Sequence, residues 1–471
     1  MSGSRPRIAV VGGGVSGLTV AYRLRRAMGA DTTIDLYEAA DRTGGVLRTE
    51  EVGGQEVDVG AEAFIVRRPE ALGLITELGL ADRVVAPTGR RPAVWAAGRL
   101  HDLPRPALMG IPASPSAIGD LADPDDVARI EGETNRPWRW TPGDEPSVGE
   151  LVADRFGPSV VSRSVDPMLG GVYATPAADL GLREAIPALA DRLDAGAPGL
   201  RAAVADLTDT AATGGDGAAV FGALLGGYRT LVDALADAAG ARIHLGTTVT
   251  GVRRDGRRWT VALRDGRTES YDGIVLATPA WVAGHLIADD LPRIGVPLAE
   301  VRRAPSVIVS IALVPGTAVP DHSGVLVAGG EDLHAKAFTF SSQKWAHLAD
   351  PGGPVSVRAS FGRFRAPVPD EAEEPGVADR LTAEALADLD RVCEAAGVPA
   401  PSAAVLDVAV QPWRLGLPVY APGHLRRMAE VDAARPDGLV LAGSAYAGVG
   451  VPACIGRAGR AAEQLLADFN R

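Results

Sequence analysis

The stretch "VVGGGVSGLTVAYRLRRAMGADTTIDLYEAADRTGG", Val10 to Gly45, decides the fold. Ile8 to Val11 is a short apolar strand. Gly12, Gly14 and Gly17 then keep the G-x-G-x-x-G spacing, and a helix containing Ala and Leu follows to about Ala27. Gly12 permits the tight turn, Gly14 lets a pyrophosphate approach the backbone, and Gly17 lets helix and strand pack closely. Free N–H groups at the helix start, those of Val15 and Ser16 among them, face the phosphates. A second strand, Thr33 to Tyr37, ends at Glu38, where a carboxylate takes both hydroxyls of an adenosine ribose and would repel a 2′-phosphate. Glycine-rich chains also make such turns for structural reasons alone. Here strand context and acid spacing agree, and they predict FAD or NAD rather than NADP. Arg42, Gly44 and Gly45 add another close backbone approach and a cation at the pyrophosphate, which NAD sites do not require, so FAD is favoured.

The rest of the composition bounds what this nucleotide can serve. At 471 residues the chain is long enough for two or three domains, including ones built from non-contiguous pieces. Its 46% apolar and 23% charged residues are globular in proportion, and a net charge of -12 argues against nucleic acid as the main partner while leaving room for a local basic groove. Cys393 and Cys454 are the only cysteines, which excludes a disulfide framework and an iron–sulfur site and fits a reducing cytosol. The seven histidines are scattered without a metal-ligand spacing, so no metal is expected. No apolar run reaches the roughly 20 residues of a spanning helix. A cytoplasmic protein is expected, with peripheral contact at the inner face of the membrane left open.

Further along, Pro and Gly break the chain repeatedly from 87 to 146, and no elements are predicted there. Helical character returns at Val148 to Phe156, and residues 205 to 218 read as a surface loop. Gly226-Gly227-Tyr228 precedes another helix, and Asp272-Gly-Ile-Val-Leu-Ala-Thr-Pro reads as a buried strand ending at a loop. Residues 306–314, 323–328 and 355–360 are β-rich and suggest a second, mostly antiparallel sheet. Gly438 to Ala442 then runs into a glycine-rich loop and a helix near Pro452. That segment either closes the core or brings the C-terminal end to the nucleotide.

Arg42-Thr-Gly-Gly with Asp58-Val-Gly-Ala resembles the flavin amine-oxidase superfamily, and "GGGVSGL", "GGYRTLVDAL", "KAFTFSSQKW" and "YAGVGVPACIGRAG" together resemble its oxygen-dependent porphyrinogen oxidases. The likeness covers nearly the whole chain and is most specific in "KAFTFSSQKW" and "GVGVPACI". It implies an α/β fold: a Rossmann-like FAD-binding domain assembled from 1–85, 221–290 and 405–471, a mainly helical covering domain at 86–220, and an antiparallel-sheet substrate domain at 291–404. It also implies oxidation of coproporphyrinogen III by molecular oxygen, as in the soluble Gram-positive branch, through three hydride transfers to flavin N5, with ferrochelatase as a downstream partner. The alternatives are protoporphyrinogen IX oxidation or, further off, another flavin amine oxidase or desaturase.

Residue by residue, the resemblance puts Gly12, Gly14, Gly17 and Glu38 at the FAD turn and ribose, and Arg42 and Gly45 at the adjoining wrap. Val249 falls at the adenine side, and Gly443, Val449, Gly450 and Val451 at the C-terminal flavin loop. Gly170 and Gly171 would admit a flat macrocycle, with Tyr173 packing on it and Leu169 as a wall; a structural turn with a buried aromatic is the equal alternative. Family members carry a carboxylate-binding arginine in the stretch matching "RPAVWAAGRLHDLP"; here Arg91 lies one place away from that register. Lys336 opens "KAFTFSSQKW" and is the candidate for a catalytic role, as a cation that organises flavin polarity, a water or a propionate. Alternatively, Lys336 and Lys344 mark solvent-facing positions.

Overall fold

The computed structural model describes residues 6–213, 219–370 and 373–471. At its centre is a five-stranded sheet in the order Arg242–His244, Thr33–Tyr37, Arg7–Val11, Gly273–Leu276, Leu439–Leu441, with every pair parallel. Its inner strands are short, mostly apolar runs buried on both faces, as parallel sheets require, while the edge strand Arg242–His244 is more exposed. The helices Val15–Met28 and Val451–Phe469 pack together on one face through Leu18, Leu24, Ala458 and Leu465. The other face is covered by an antiparallel sheet of Val249–Asp255, Arg258–Leu263 and Thr268–Tyr271 and by the helix Ala280–Ile287. Strands from the start, middle and end of the chain therefore finish along one edge, where a doubly wound sheet binds its ligand.

A second sheet has seven strands, ordered Val405–Pro418, Arg303–Leu313, Val355–Phe361, Ala337–Phe340, Gly324–Val327, Ala93–Ala96, Arg99–Asp102. Only the pairing of Gly324–Val327 with Ala93–Ala96 is parallel. Alternation puts Val309, Ile311, Phe338, Val357 and Ala359 on one face, against the helix Val377–Ala395. The register puts two other rows on the opposite face: Leu326, Ala337, Ser360 and Ile308, and beside them Thr339, Arg358 and Ser310. A helical layer with its own core, including Val152, Phe156, Leu169, Leu189 and Val204, packs against Val94 and Ala96 at the side of this second face.

Several expectations change. Residues 93–102, expected in the covering region, and 405–418, expected with the nucleotide sheet, both pair into the seven-stranded sheet. The pairings of Ala93–Ala96 with Gly324–Val327 and of Val405–Pro418 with Arg303–Leu313 join strands far apart in the chain, so no local pattern announces them. The segment 87–146 also carries the helix Pro124–Glu131, with proline at its first position. Residues 205–213 end the Ala-rich helix Leu200–Thr213 instead of forming a loop, and 214–218 lie outside the described residues. Among the described residues no helix is long and apolar enough to cross a membrane.

Candidate active site

The three glycines of the first turn are needed for different reasons. Gly12 has φ of +105°, and a Cβ there would sit 2.8 Å from Ala277 O; a Cβ on Gly17 would sit 1.9 Å from Gly12 O. Both requirements are internal to the protein. At Gly14 a Cβ would come no closer than 3.9 Å to any neighbour, Gly45 Cα. The protein has room for a side chain there, so a group laid over the helix start accounts for the glycine. Nearby, the buried hydroxyls of Thr278 and Tyr446 have no protein partner. The Thr278 backbone flanks both Gly12 and Gly443, so its unpartnered hydroxyl belongs to a residue at the same edge. Open backbone, helix N-terminus and unpartnered hydroxyls together fit a dinucleotide.

Glu38 Oε2 accepts from Gly13 N at 2.7 Å and Oε1 from Ala40 N at 2.9 Å, which holds the carboxylate at the turn. Thr247 N donates to Glu38 O, and this draws the segment leading into Val249 to the same place; Val249 itself is 9% exposed. The second glycine pair is joined to the first through Gly44 N to Gly13 O at 2.9 Å. Arg42 departs from its expected role. Its guanidinium donates to the carbonyls of Thr43, Gly45 and Leu47, so it shapes the loop. Ser16 is buried and hydrogen-bonds Cys454, which links the first helix to the last; burial pushes the Cys454 thiol up to about 11 and leaves it unreactive.

At the C-terminal end, Gly443 has φ of +132° and Gly450 caps the helix that starts at Val451, while Val449 is half-buried. Sequence reasoning missed what holds this loop. Tyr420 Oη donates to Ser444 O at 2.6 Å and accepts from Gly448 N at 2.7 Å, and His424 Nε2 donates to Ala445 O at 2.7 Å. Burial lowers His424 to about 4, so it is neutral at pH 7. Nothing in the local sequence around Tyr420 signals this role.

Between the two sheets, Asp58 Oδ1 accepts from Thr49 Oγ1 at 2.6 Å and from Tyr228 N at 3.0 Å, joining the Asp58-Val-Gly-Ala and Gly226-Gly227-Tyr228 motifs. Burial raises the Asp58 carboxyl to about 6 despite these donors. Glu62 behaves oppositely. Burial would raise it, but Lys344 at 2.8 Å, Arg358 at 3.7 Å and the Ser341 hydroxyl at 2.6 Å outweigh that and hold it at about 2. Lys344 is therefore not solvent-facing: its side chain is 22% exposed, ion-paired and set over the Trp345 ring. Arg358 also donates to Gly60 O at 2.6 Å, which docks the seven-stranded sheet on the nucleotide-side loop. Glu62 and Arg358 were not legible in the sequence, because an ion pair between a loop and a distant strand leaves no spacing to read.

The helix Asp166–Tyr173 closes the other side of the same sheet face. A Cβ on Gly171 would lie 3.6 Å from Leu326, in contact with it, whereas one on buried Gly170 would meet nothing within 4 Å, so space is left at Gly170 alone. Val172 beside it is 44% exposed, an apolar wall the sequence reading did not include. Leu169 is a correction: at 0% exposure it belongs to the helical core and cannot touch a substrate. Tyr173 leans on Tyr420, with ring centroids 6.1 Å apart, and so connects this helix to the C-terminal loop. Arg91 is exposed and makes its hydrogen bond through its backbone carbonyl, which accepts from Ser323 N. Lys336 is not solvent-facing: its Nζ donates to Gly362 O at 2.7 Å, and burial with nearby Arg363 lowers it to about 7.

A glycine turn, an acid and a C-terminal loop converging on one edge, with a half-covered antiparallel sheet opposite, define a flavin-type oxidoreductase built from discontinuous segments. The chain belongs to the flavin containing amine oxidoreductase family, which matches residues 15–466, and is an FAD-dependent oxidoreductase. It is 46% identical to a coproporphyrinogen III oxidase of Mycobacterium tuberculosis over 461 residues, 97% of this chain and 96% of that one. It is 28% identical to the protoporphyrinogen oxidase of Bos taurus, covering 98% of each. Among solved structures, a putative protoporphyrinogen oxidase from Exiguobacterium sp. 255-15 superposes with a TM-score of 0.84 at 26% identity, covering 99% of this chain and 100% of that one. Cyclohexylamine oxidase from Brevibacterium oxydans, at 0.70 and 15% identity over 99% and 100%, shares the fold.

Proposed function

We propose that this protein oxidises coproporphyrinogen III to coproporphyrin III with molecular oxygen. The observation that carries the reading is the 46% identity to coproporphyrinogen III oxidases across almost the full length of both chains. The reaction removes six electrons and six protons from the macrocycle, and three O2 take them up as three H2O2. Bound FAD supplies a two-electron carrier that oxygen regenerates.

The chain's own residues bind and position. Gly12, Gly14, Gly17 and Glu38 would hold the dinucleotide, with Gly45, Gly443 and Gly450 giving it backbone clearance. The open space beside Gly170, with Val172 and Tyr173 on the same helix, suits the edge of a flat ring, while Gly171 already lies against Leu326. The Glu62, Lys344 and Arg358 cluster keeps the seven-stranded sheet at a fixed distance from the nucleotide side. Both cysteines are buried and unpaired, which suits a reducing cytosol.

Anaerobic mixing with coproporphyrinogen III tests the assignment. Rapid bleaching of the oxidised flavin absorbance supports it, and no bleaching with flavin and substrate both bound overturns it. The Bos taurus relative makes protoporphyrinogen IX the second substrate to compare. A higher kcat/KM for it in matched detergent would reverse the preference.

A further inference from the structure

Two cations sit where the seven-stranded sheet meets the covering helix Asp166–Tyr173, and neither has an acid. Lys336, at the start of the strand Ala337–Phe340, donates to Gly362 O at 2.7 Å; Arg363 Nη2 donates to Val327 O at 3.2 Å. Phe364 N donates to Ala174 O at 2.8 Å, which lays Arg363 along the helix whose Gly170 is unfilled. Asp166 on that helix is the nearest acid to influence Arg363, yet it forms no ion pair with it, and its carboxylate accepts from Ala177 N at 2.7 Å. Among the described residues both cations thus have only carbonyl partners, though burial lowers the pKa of each. Two desolvated basic groups with only neutral acceptors are costly to charge together, and a neighbouring anion relieves that cost.

We propose that Lys336 and Arg363 form the receptor for a propionate carboxylate of the substrate. This rests on the porphyrinogen reading above and gives Lys336 a binding role in place of a catalytic one. Carbonyl anchoring holds both donors in place before the ligand arrives, and an Arg–carboxylate contact adds directional recognition.

The test compares binding of coproporphyrin III, the unreactive product, with that of its tetramethyl ester in matched detergent, for wild type, Lys336→Met, Arg363→Met and Lys336→Arg. Flavin absorbance and content confirm that each variant is folded. The wild type should favour the acid. Each Met variant should lose about 10- to 100-fold in affinity for the acid with little change for the ester, and Lys336→Arg should recover most of it. Unchanged acid binding in both Met variants, or equal losses for acid and ester, would overturn the receptor. Wild type that fails to oxidise coproporphyrinogen III would instead overturn the substrate assignment, so the two failures are distinguishable.

Discussion

Gly14 and Gly17 stand three positions apart in one turn and should fail differently. A Cβ at Gly17 would sit 1.9 Å from Gly12 O, so Gly17→Ala should give little soluble protein. Gly14→Val has room within the protein and should fold, yet lose FAD affinity by about 100-fold or more in titrations of the apoprotein. Glu38→Gln keeps the shape and one acceptor and should cost only about 10-fold. His424 makes a pH prediction. Its ordinary value of 6.5 falls to about 4 in the folded protein, so between those values the unfolded chain binds a proton that the folded chain refuses. Stability should therefore fall as pH drops from 6.5 to 4, by on the order of 3 kcal/mol. In His424→Gln the decline of Tm over that window should be shallower.

Among the elements, the helix Val148–Phe156 has the clearest local signature. Ser147 Oγ accepts from Glu150 N and Glu150 returns to Ser147 N, both at 3.1 Å. Ser147→Ala should cost about 1 kcal/mol in urea unfolding, with FAD content unchanged. Helices and buried strands of this kind were legible because capping, helical period and apolar runs are local. Strand partners were not: 93–102 reads as broken by glycine and proline, and becomes ordered because Gly324–Val327 offers it an edge.

Across the whole molecule, the Glu62 cluster fastens the seven-stranded sheet to the loop that follows Gln55–Asp58. Replacing Glu62 by Gln leaves Lys344 and Arg358 buried without their carboxylate, and about 3 to 5 kcal/mol of stability should be lost at neutral pH. With a folded value near 2 against an ordinary 4.5, the carboxylate stabilises fully above about 4.5 and loses its contribution as pH falls towards 2. Acid unfolding followed by Tm should accordingly be less steep in Glu62→Gln than in wild type over that interval.

By itself the sequence determined the nucleotide half: Gly12, Gly14, Gly17 and Glu38 belong to one strand, turn and strand, so their spacing carries their geometry. It also showed the strand, glycine run and helix from Gly438 to Pro452, since these are again contiguous, but left open whether they only close the core. Only the tertiary structure decided the substrate side. Leu169 and Gly170 are neighbours in sequence and both buried, yet Leu169 is packed in the helical core while a Cβ on Gly170 would meet nothing within 4 Å, and this depends on how the helix is packed. Arg42, read as a phosphate cation, turned inward because three carbonyls of its own loop lie within reach. Glu62, Lys336 and Arg363 meet their surroundings through residues distant in the chain, and long-range contacts of that kind have no period or motif to read.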